Sequence, residues 1–171
     1  MTDLNAVSEF FDIGSAATDD DGVIECPVIP LREQVVFPNV VSPIALHSKR
    51  AIAAAEAAYD QRRTAIVIWQ DEASDLEIEG RVLVGTEIAL GRVMRMPDDS
   101  RGALMQGRRR VQILRITQKT PYVIAQARIV IEKNTVSART SALMQVITNL
   151  FRRVVELNEN IPEDVLLYVL N

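Results

Sequence analysis

Histidine and cysteine are almost absent from this chain: His47 and Cys26 are the only examples of each. A zinc site of ordinary composition draws several such ligands from one chain, so none is expected, and no intramolecular disulfide can form. A single thiol suits a reducing compartment. Aromatic residues make up 5% of the sequence, which leaves the core to Val, Ile, Leu, Ala and Met. No apolar run approaches the roughly 18–20 residues of a membrane span. The N-terminus has no basic stretch leading into an apolar one, so no signal peptide is read, and cytoplasm is the default location. Catalytic motifs are also missing. No Gly-x-Ser-x-Gly occurs, and His47 has no motif around it. Gly80 to Gly85 and Gly102 to Gly107 have the glycine spacing of a phosphate loop, but they continue Thr86-Glu87 and Arg108-Arg109, without the lysine that would reach a nucleotide. No catalytic residue, metal or cofactor is therefore expected, and the chain alone is read as no enzyme.

What is present begins with an uneven distribution of charge. Residues 1–25 hold seven acids and no base. The rest carries nineteen bases against sixteen acids, a net charge of +3, too weak a bias to argue for nucleic acid by itself. The leader has little to bury against the cost of ordering it, so disorder is expected over 1–25.

The chain is organised around Cys26–Leu46, CPVIPLREQVVFPNVVSPIAL, with prolines at 27, 30, 38 and 43. Proline lacks a backbone N–H and forces the preceding residue into extended conformations, which excludes a helix. It also argues against an ordinary central strand. The stretch reads as an apolar ribbon that enters a β-structure, leaves it and re-enters. Ser48 then caps an alanine-rich helix to Asp60, with Ile52, Ala55 and Tyr59 on one face. Thr64–Trp69 reads as a strand buried on both faces. An acidic loop, 70–80, precedes three further strands over 81–96, 102–116 and 122–132. Pro97–Gly102 forms a hairpin turn, and Gly91 and Gly107 mark bulges or bends. From Val136 the period becomes helical: Leu143, Ile147, Leu150, Val154 and Leu157 form a seam that needs a covering partner. Pro162 is placed to start another helix.

Two clusters could carry function. Arg108-Arg109-Arg110 is the one dense cationic patch, but no aromatic between Arg92 and Pro121 could stack on a base, so a solvated or salt-bridged strand is the favoured reading. Met94, Met96 and Met105 flank the hairpin turn. Methionine fills cores, and it also suits adaptable surfaces that bind many sequences. Phe37, Pro38, Met94, Met96 and Pro97 are taken as an exposed apolar site for unfolded polypeptide.

The sequence 27–44, PVIPLREQVVFPNVVSPI, resembles the opening signature of the N-terminal, substrate-recognition domain of the Lon protease family (ATP-dependent protease La). Further blocks follow in order: Val84-Gly85-Thr86 with Ile88, Gly107 with Arg110 and Ile113, and Asn158-x-Asn160-Ile161-Pro162-x-x-Val165-Leu166. Ile29 stands where the family usually has Leu. The resemblance covers about residues 26–171. It implies an α+β fold: a bent antiparallel PUA-like β-domain with one inserted helix over 26–134, then the start of a helical bundle over 135–171. It also implies a non-catalytic module of an ATP-dependent serine protease that captures unfolded, damaged or degron-bearing proteins and supports hexamer assembly. The lack of a long apolar run and of aromatics near the arginines separately leaves no membrane partner expected and nucleic acid disfavoured. Two other readings stay open: an RNA-binding PUA-like module, and a purely oligomeric element acting through the Leu143–Leu157 seam.

Overall fold

The longest strand fixes the architecture. In the computed structural model, which describes residues 13–70, 82–96, 101–131 and 137–158 together with Ile161 and Val165, residues Arg101–Gln118 form one 18-residue strand, β6. Its first part pairs with β2 (Val41–Leu46) and with the two-residue β5 (Met94–Arg95). Its middle pairs with β4 (Val84–Leu90), and its end with β7 (Ile124–Ile129). The register steps three times along β6, each time with an extra residue on its side, between Gly107 and Arg110, Ile113 and Arg115, and Ile116 and Gln118. Each such bulge bends the strand and increases its twist. The sheet therefore coils and closes: β6 pairs β4, β4 pairs β3 (Ala65–Trp69), β3 pairs β1 (Val23–Leu31), β1 pairs β7, and β7 returns to β6. These five strands make a small barrel.

Two expectations are corrected here. The sheet is not wholly antiparallel, because β1 and β3 run parallel. A parallel pair needs a crossover, which β2 and the helix α1 (Lys49–Asp60) supply. The proline-bearing β1 is also a central strand, lying between β3 and β7. It tolerates Pro27 and Pro30 because its neighbours are staggered. The ladder of Val23–Pro27 is with β7 and that of Val28–Leu31 with β3, with one further bond on the β7 side from the Val28 N–H to the Val123 carbonyl at 2.8 Å. Each half is locally an edge, where a missing N–H costs no ladder bond on the open side.

Helix α1 begins as its sequence dictates, with the Ser48 hydroxyl accepting from the Ala51 N–H at 3.0 Å. Its buried face is Ala51, Ala54, Ala55 and Ala58. That face is rotated from the Ile52–Tyr59 stripe read off the sequence, since methyl side chains let the helix lie close on the sheet. These alanines join Ile29, Leu31, Val67, Ile88, Leu90 and Met105 in a cluster on the outer face of the barrel. A second cluster, with Ile24, Cys26, Val28, Ile66, Ile68, Val111, Ile113 and Ala125, fills the interior. Alternate residues of β1 and β3 divide between the two, as the strand period of two requires. Burial pushes the Cys26 thiol up from its ordinary pKa.

The leader is also corrected where the structure describes it. Residues 13–22 are not loose, for Ile13 is buried against Ala89 and Leu104, and β1 already begins at Val23. The cause is one side chain. Glu87 faces the interior beside Ile66 and is fully buried. Its carboxylate accepts from Arg109 Nε at 2.7 Å, from the Thr64 hydroxyl at 2.8 Å and from the Ala16 N–H at 2.6 Å. A charge taken out of water requires such partners. The segment 13–16 supplies one of them and is held in return.

The chain divides into two compact units, Met1–Ile131 and Glu132–Asn171. In the second, α2 (Ala138–Leu157) is capped by Ser137, whose hydroxyl accepts from the Thr140 N–H. Leu143, Ile147, Leu150, Val154 and Leu157 are all exposed among the described residues. The helix expected from Pro162 lies outside the described residues except at Val165.

Because Glu87 is fully buried, Arg109→Ala leaves a carboxylate without its cation. Urea unfolding of the variant should show a loss of about 3 kcal/mol, the lower end of what breaking a buried pair costs, since Arg109 is 30% exposed. The double change Glu87→Leu with Arg109→Met should lose less than Arg109→Ala alone.

Candidate functional site

The ribbon between β1 and β2 crosses the outer face of β6 at Gly107. The Asn39 N–H donates to the Gly107 carbonyl at 3.0 Å, and the Gly107 N–H donates to the Val40 carbonyl at 2.9 Å. A side chain at position 107 would meet the Phe37 carbonyl oxygen, so only glycine permits this contact. Asn39 turns the ribbon with φ of 62°, a left-handed conformation that Asn tolerates better than most residues. The Val36 carbonyl accepts from the buried Thr86 hydroxyl at 2.7 Å. Val36 points into the outer cluster, while Val35 and Phe37, on alternate sides, are exposed.

This clamp leaves a cleft on the barrel's outer face, bounded by Val35, Phe37, Trp69 and Val84, with Val67, Gly85 and Thr86 behind and Arg110 at its side. It encloses about 400 Å³ counted to its open mouth. Phe37 is 56% exposed and Trp69 62% exposed. Trp69 is the chain's only tryptophan. Two large aromatics and two valines thus stand uncovered around one cleft, and apolar surface of this kind marks a place where another chain can be buried.

The residues chosen from the sequence are not all brought together. Phe37 and Pro38 lie in the clamp, Phe37 open and Pro38 half-buried. Met94 and Met96 are exposed, 55% and 44%, but they flank the other end of β6. Met94 pairs opposite Gly102, and the Met96 sulfur lies against the same glycine. Gly107 lies five positions beyond Gly102 along β6, roughly 17 Å at a strand's rise, and the two glycines face opposite sides of the strand. Pro97 lies outside the described residues. Met105 is fully buried and fills the core. Trp69 and Val84 were missed because both sit in apolar strand patterns that suggest burial. The one available signal was their position at strand ends, next to the acidic segment.

The arginine patch is largely spent on the fold. Arg109 holds Glu87 and donates to the Ala16 carbonyl at 3.1 Å, and Arg108 donates to the Ile13 carbonyl at 3.0 Å. The bulge opposite Glu87 turns both toward that carboxylate and its strap. Arg110 turns instead to the cleft. Among the described residues no group of His, Cys, Asp and Glu could hold a metal ion, and no helix is long and apolar enough to cross a membrane.

Comparison with known proteins agrees on one family. A family profile described as the ATP-dependent protease La (LON) substrate-binding domain matches residues 25–171. The chain is 31% identical over 159 residues to Lon protease 2 of Herpetosiphon aurantiacus, covering 92% of this chain and 19% of that protein. It is 30% identical over 146 residues to the Lon protease of Escherichia coli K12, covering 84% of this chain and 18% of that one. The chain thus spans less than a fifth of the length of these relatives. The N-terminal domain of a Mycobacterium avium complex Lon protease shares the fold, with a TM-score of 0.64 at 20% identity, over 85% of this chain and 74% of that one. A Lon N-terminal domain protein from Xanthomonas campestris superposes with a TM-score of 0.53 at 14% identity, over 74% and 73% of the two chains.

If Gly107 is what seats the ribbon, Gly107→Ala must push Phe37 and Pro38 off β6. Thermal unfolding should show a loss of about 1–3 kcal/mol, typical of overpacking a fitted site. Asn39→Gly should be nearly neutral, whereas Asn39→Val should be destabilised by about 1 kcal/mol or more.

Proposed function

Because the chain belongs to the ATP-dependent protease La (LON) substrate-binding domain family, we propose that it captures unfolded or damaged polypeptide through the Phe37–Trp69 cleft. The observation that carries this reading is the uncovered pair of aromatics, Phe37 and Trp69, that line one cleft beside the backbone clamp. Binding draws on burial of apolar surface, about 25 cal/mol per Å² before the cost of ordering the partner. It needs no fixed sequence, which suits a module that meets many unfolded chains. Met94 and Met96 offer a second exposed apolar contact on the opposite side of β6.

In this reading the barrel, over 26–134, is PUA-like, and 135–171 opens a helical bundle. The module stands ahead of the ATPase and serine protease parts of a longer enzyme and hydrolyses nothing itself. Self-association toward a hexamer is a second role, favoured by one observation: the exposed apolar seam of α2 from Leu143 to Leu157.

Trp69 supplies its own reporter. Adding a chemically unfolded protein should shift its fluorescence to the blue in a saturable way. Phe37→Ser should weaken that binding by about tenfold or more, equivalent to about 1.4 kcal/mol, with the fold intact by circular dichroism. An unchanged affinity would remove the cleft from the account. For the seam, sedimentation should show Ile147→Asp shifted toward monomer relative to the parent chain. Equal sedimentation of the two would leave α2 with no part in assembly.

A further inference from the structure

Residues 13–16 are held in an unusual way for a segment that belongs to no helix or strand. They form no strand ladder there; side chains of the barrel read their backbone. Glu87, fully buried, accepts the Ala16 N–H at 2.6 Å, and Arg109 donates to the carbonyl of the same residue at 3.1 Å. Arg108 donates to the carbonyl three residues earlier, at Ile13, at 3.0 Å. Between these polar contacts the Ile13 side chain is buried against Ala89 and Leu104, while Ala16 packs on the interior cluster. The seat lies on the interior-facing side of β4 and β6, the opposite side from the Phe37–Trp69 cleft.

From these contacts we infer that this seat is a second polypeptide-binding groove, which the chain fills with its own residues 13–16. One carboxylate and two guanidiniums satisfy main-chain N–H and C=O groups, which every polypeptide carries. The only side-chain demands are an apolar residue at the Ile13 position and a small one three residues on. The ligand class is therefore an extended segment of unfolded protein with an aliphatic residue followed, three positions later, by Ala, Gly or Ser. Main-chain recognition of this kind gives affinity with little sequence preference. The strap is then an intramolecular competitor, and an incoming segment must displace it. The groove and the Phe37–Trp69 cleft share no residue, so either can fail in an experiment without the other.

The test uses the full chain with the strap released by Ile13→Asp and Ala16→Pro, the second removing the N–H that Glu87 accepts. The probe is a fluorescein-labelled peptide of residues 12–20, DIGSAATDD, followed by anisotropy. The folded released variant should bind it at least tenfold more tightly than the parent chain does, and a reduced, carboxymethylated protein should compete. A peptide with Asp in place of Ile should bind neither. A folded released variant that gains no peptide binding overturns the groove. Should that variant not fold, hydrogen exchange of the parent chain decides. The Ala16 amide is expected to exchange by local opening, well before Val111 in the core. Exchange of Ala16 only on global unfolding would mean a strap that never leaves, and would overturn the inference.

Discussion

The Glu87 carboxylate is the constraint around which the β-unit is arranged. A buried charge must be neutralised and its lone pairs filled, or the fold loses several kcal/mol. Glu87 collects its partners from three places in sequence: Thr64 at the entry to β3, Arg109 at the bulge of β6, and Ala16 in the N-terminal strap. Through Thr64, whose hydroxyl lies 3.6 Å from the Cys26 sulfur, the network also reaches β1. One carboxylate thus registers three strands of the barrel and the strap. The bulge at Arg108-Arg109 follows from the same need, since the extra residue lets β6 present Arg109 to a glutamate that already sits opposite it.

The opposite face of the sheet follows a different logic. There the outer cluster is covered by α1 and by the ribbon clamped over Gly107, and the cover stops short of Trp69 and Val84. The ribbon's Asn39 turn and its bonds to Gly107 and Thr86 seat its backbone directly on β6 and β4, so Phe37 is held out with its own backbone fixed to the sheet. A rigid backbone carrying an exposed aromatic costs little further order when a partner arrives, which favours binding. The two faces of β4 and β6 therefore do separate work: one closes the barrel around a buried ion pair, the other leaves apolar surface open.

Local features of the sequence were legible. The Ser48 cap and its alanines mark α1, alternating and continuous apolar runs mark β3, β4, β6 and β7, and the change of period after Val136 marks α2. Family blocks spread from Pro27 to Leu166 were also readable. What depended on distant residues was not. The parallel pairing of β1 with β3 and the staggered neighbours that make Pro27 and Pro30 harmless arise from long-range packing. Glu87 looked like an ordinary polar residue of a strand, because burial of a charge depends on partners 22 and 71 positions away. For the same reason the acidic composition of 1–25 suggested looseness, although Ile13 and Ala16 had a seat waiting. Of the candidate site residues, Phe37 could be read from its place in the apolar, proline-bearing ribbon. Trp69 could not, because the four residues before it in β3 are all buried and only the ribbon's path decides what stays uncovered.

In the function proposed above, the Phe37–Trp69 face meets unfolded polypeptide by burial of apolar surface. Amide chemical-shift mapping of the isotope-labelled chain with a chemically unfolded protein, at low and high salt, tests it most directly. Shifts are expected at Val35–Phe37, Trp69, Val84–Thr86 and Arg110, changing little with salt because charge supplies little of the affinity. Shifts that avoid these residues, or binding that vanishes at high salt, would contradict it.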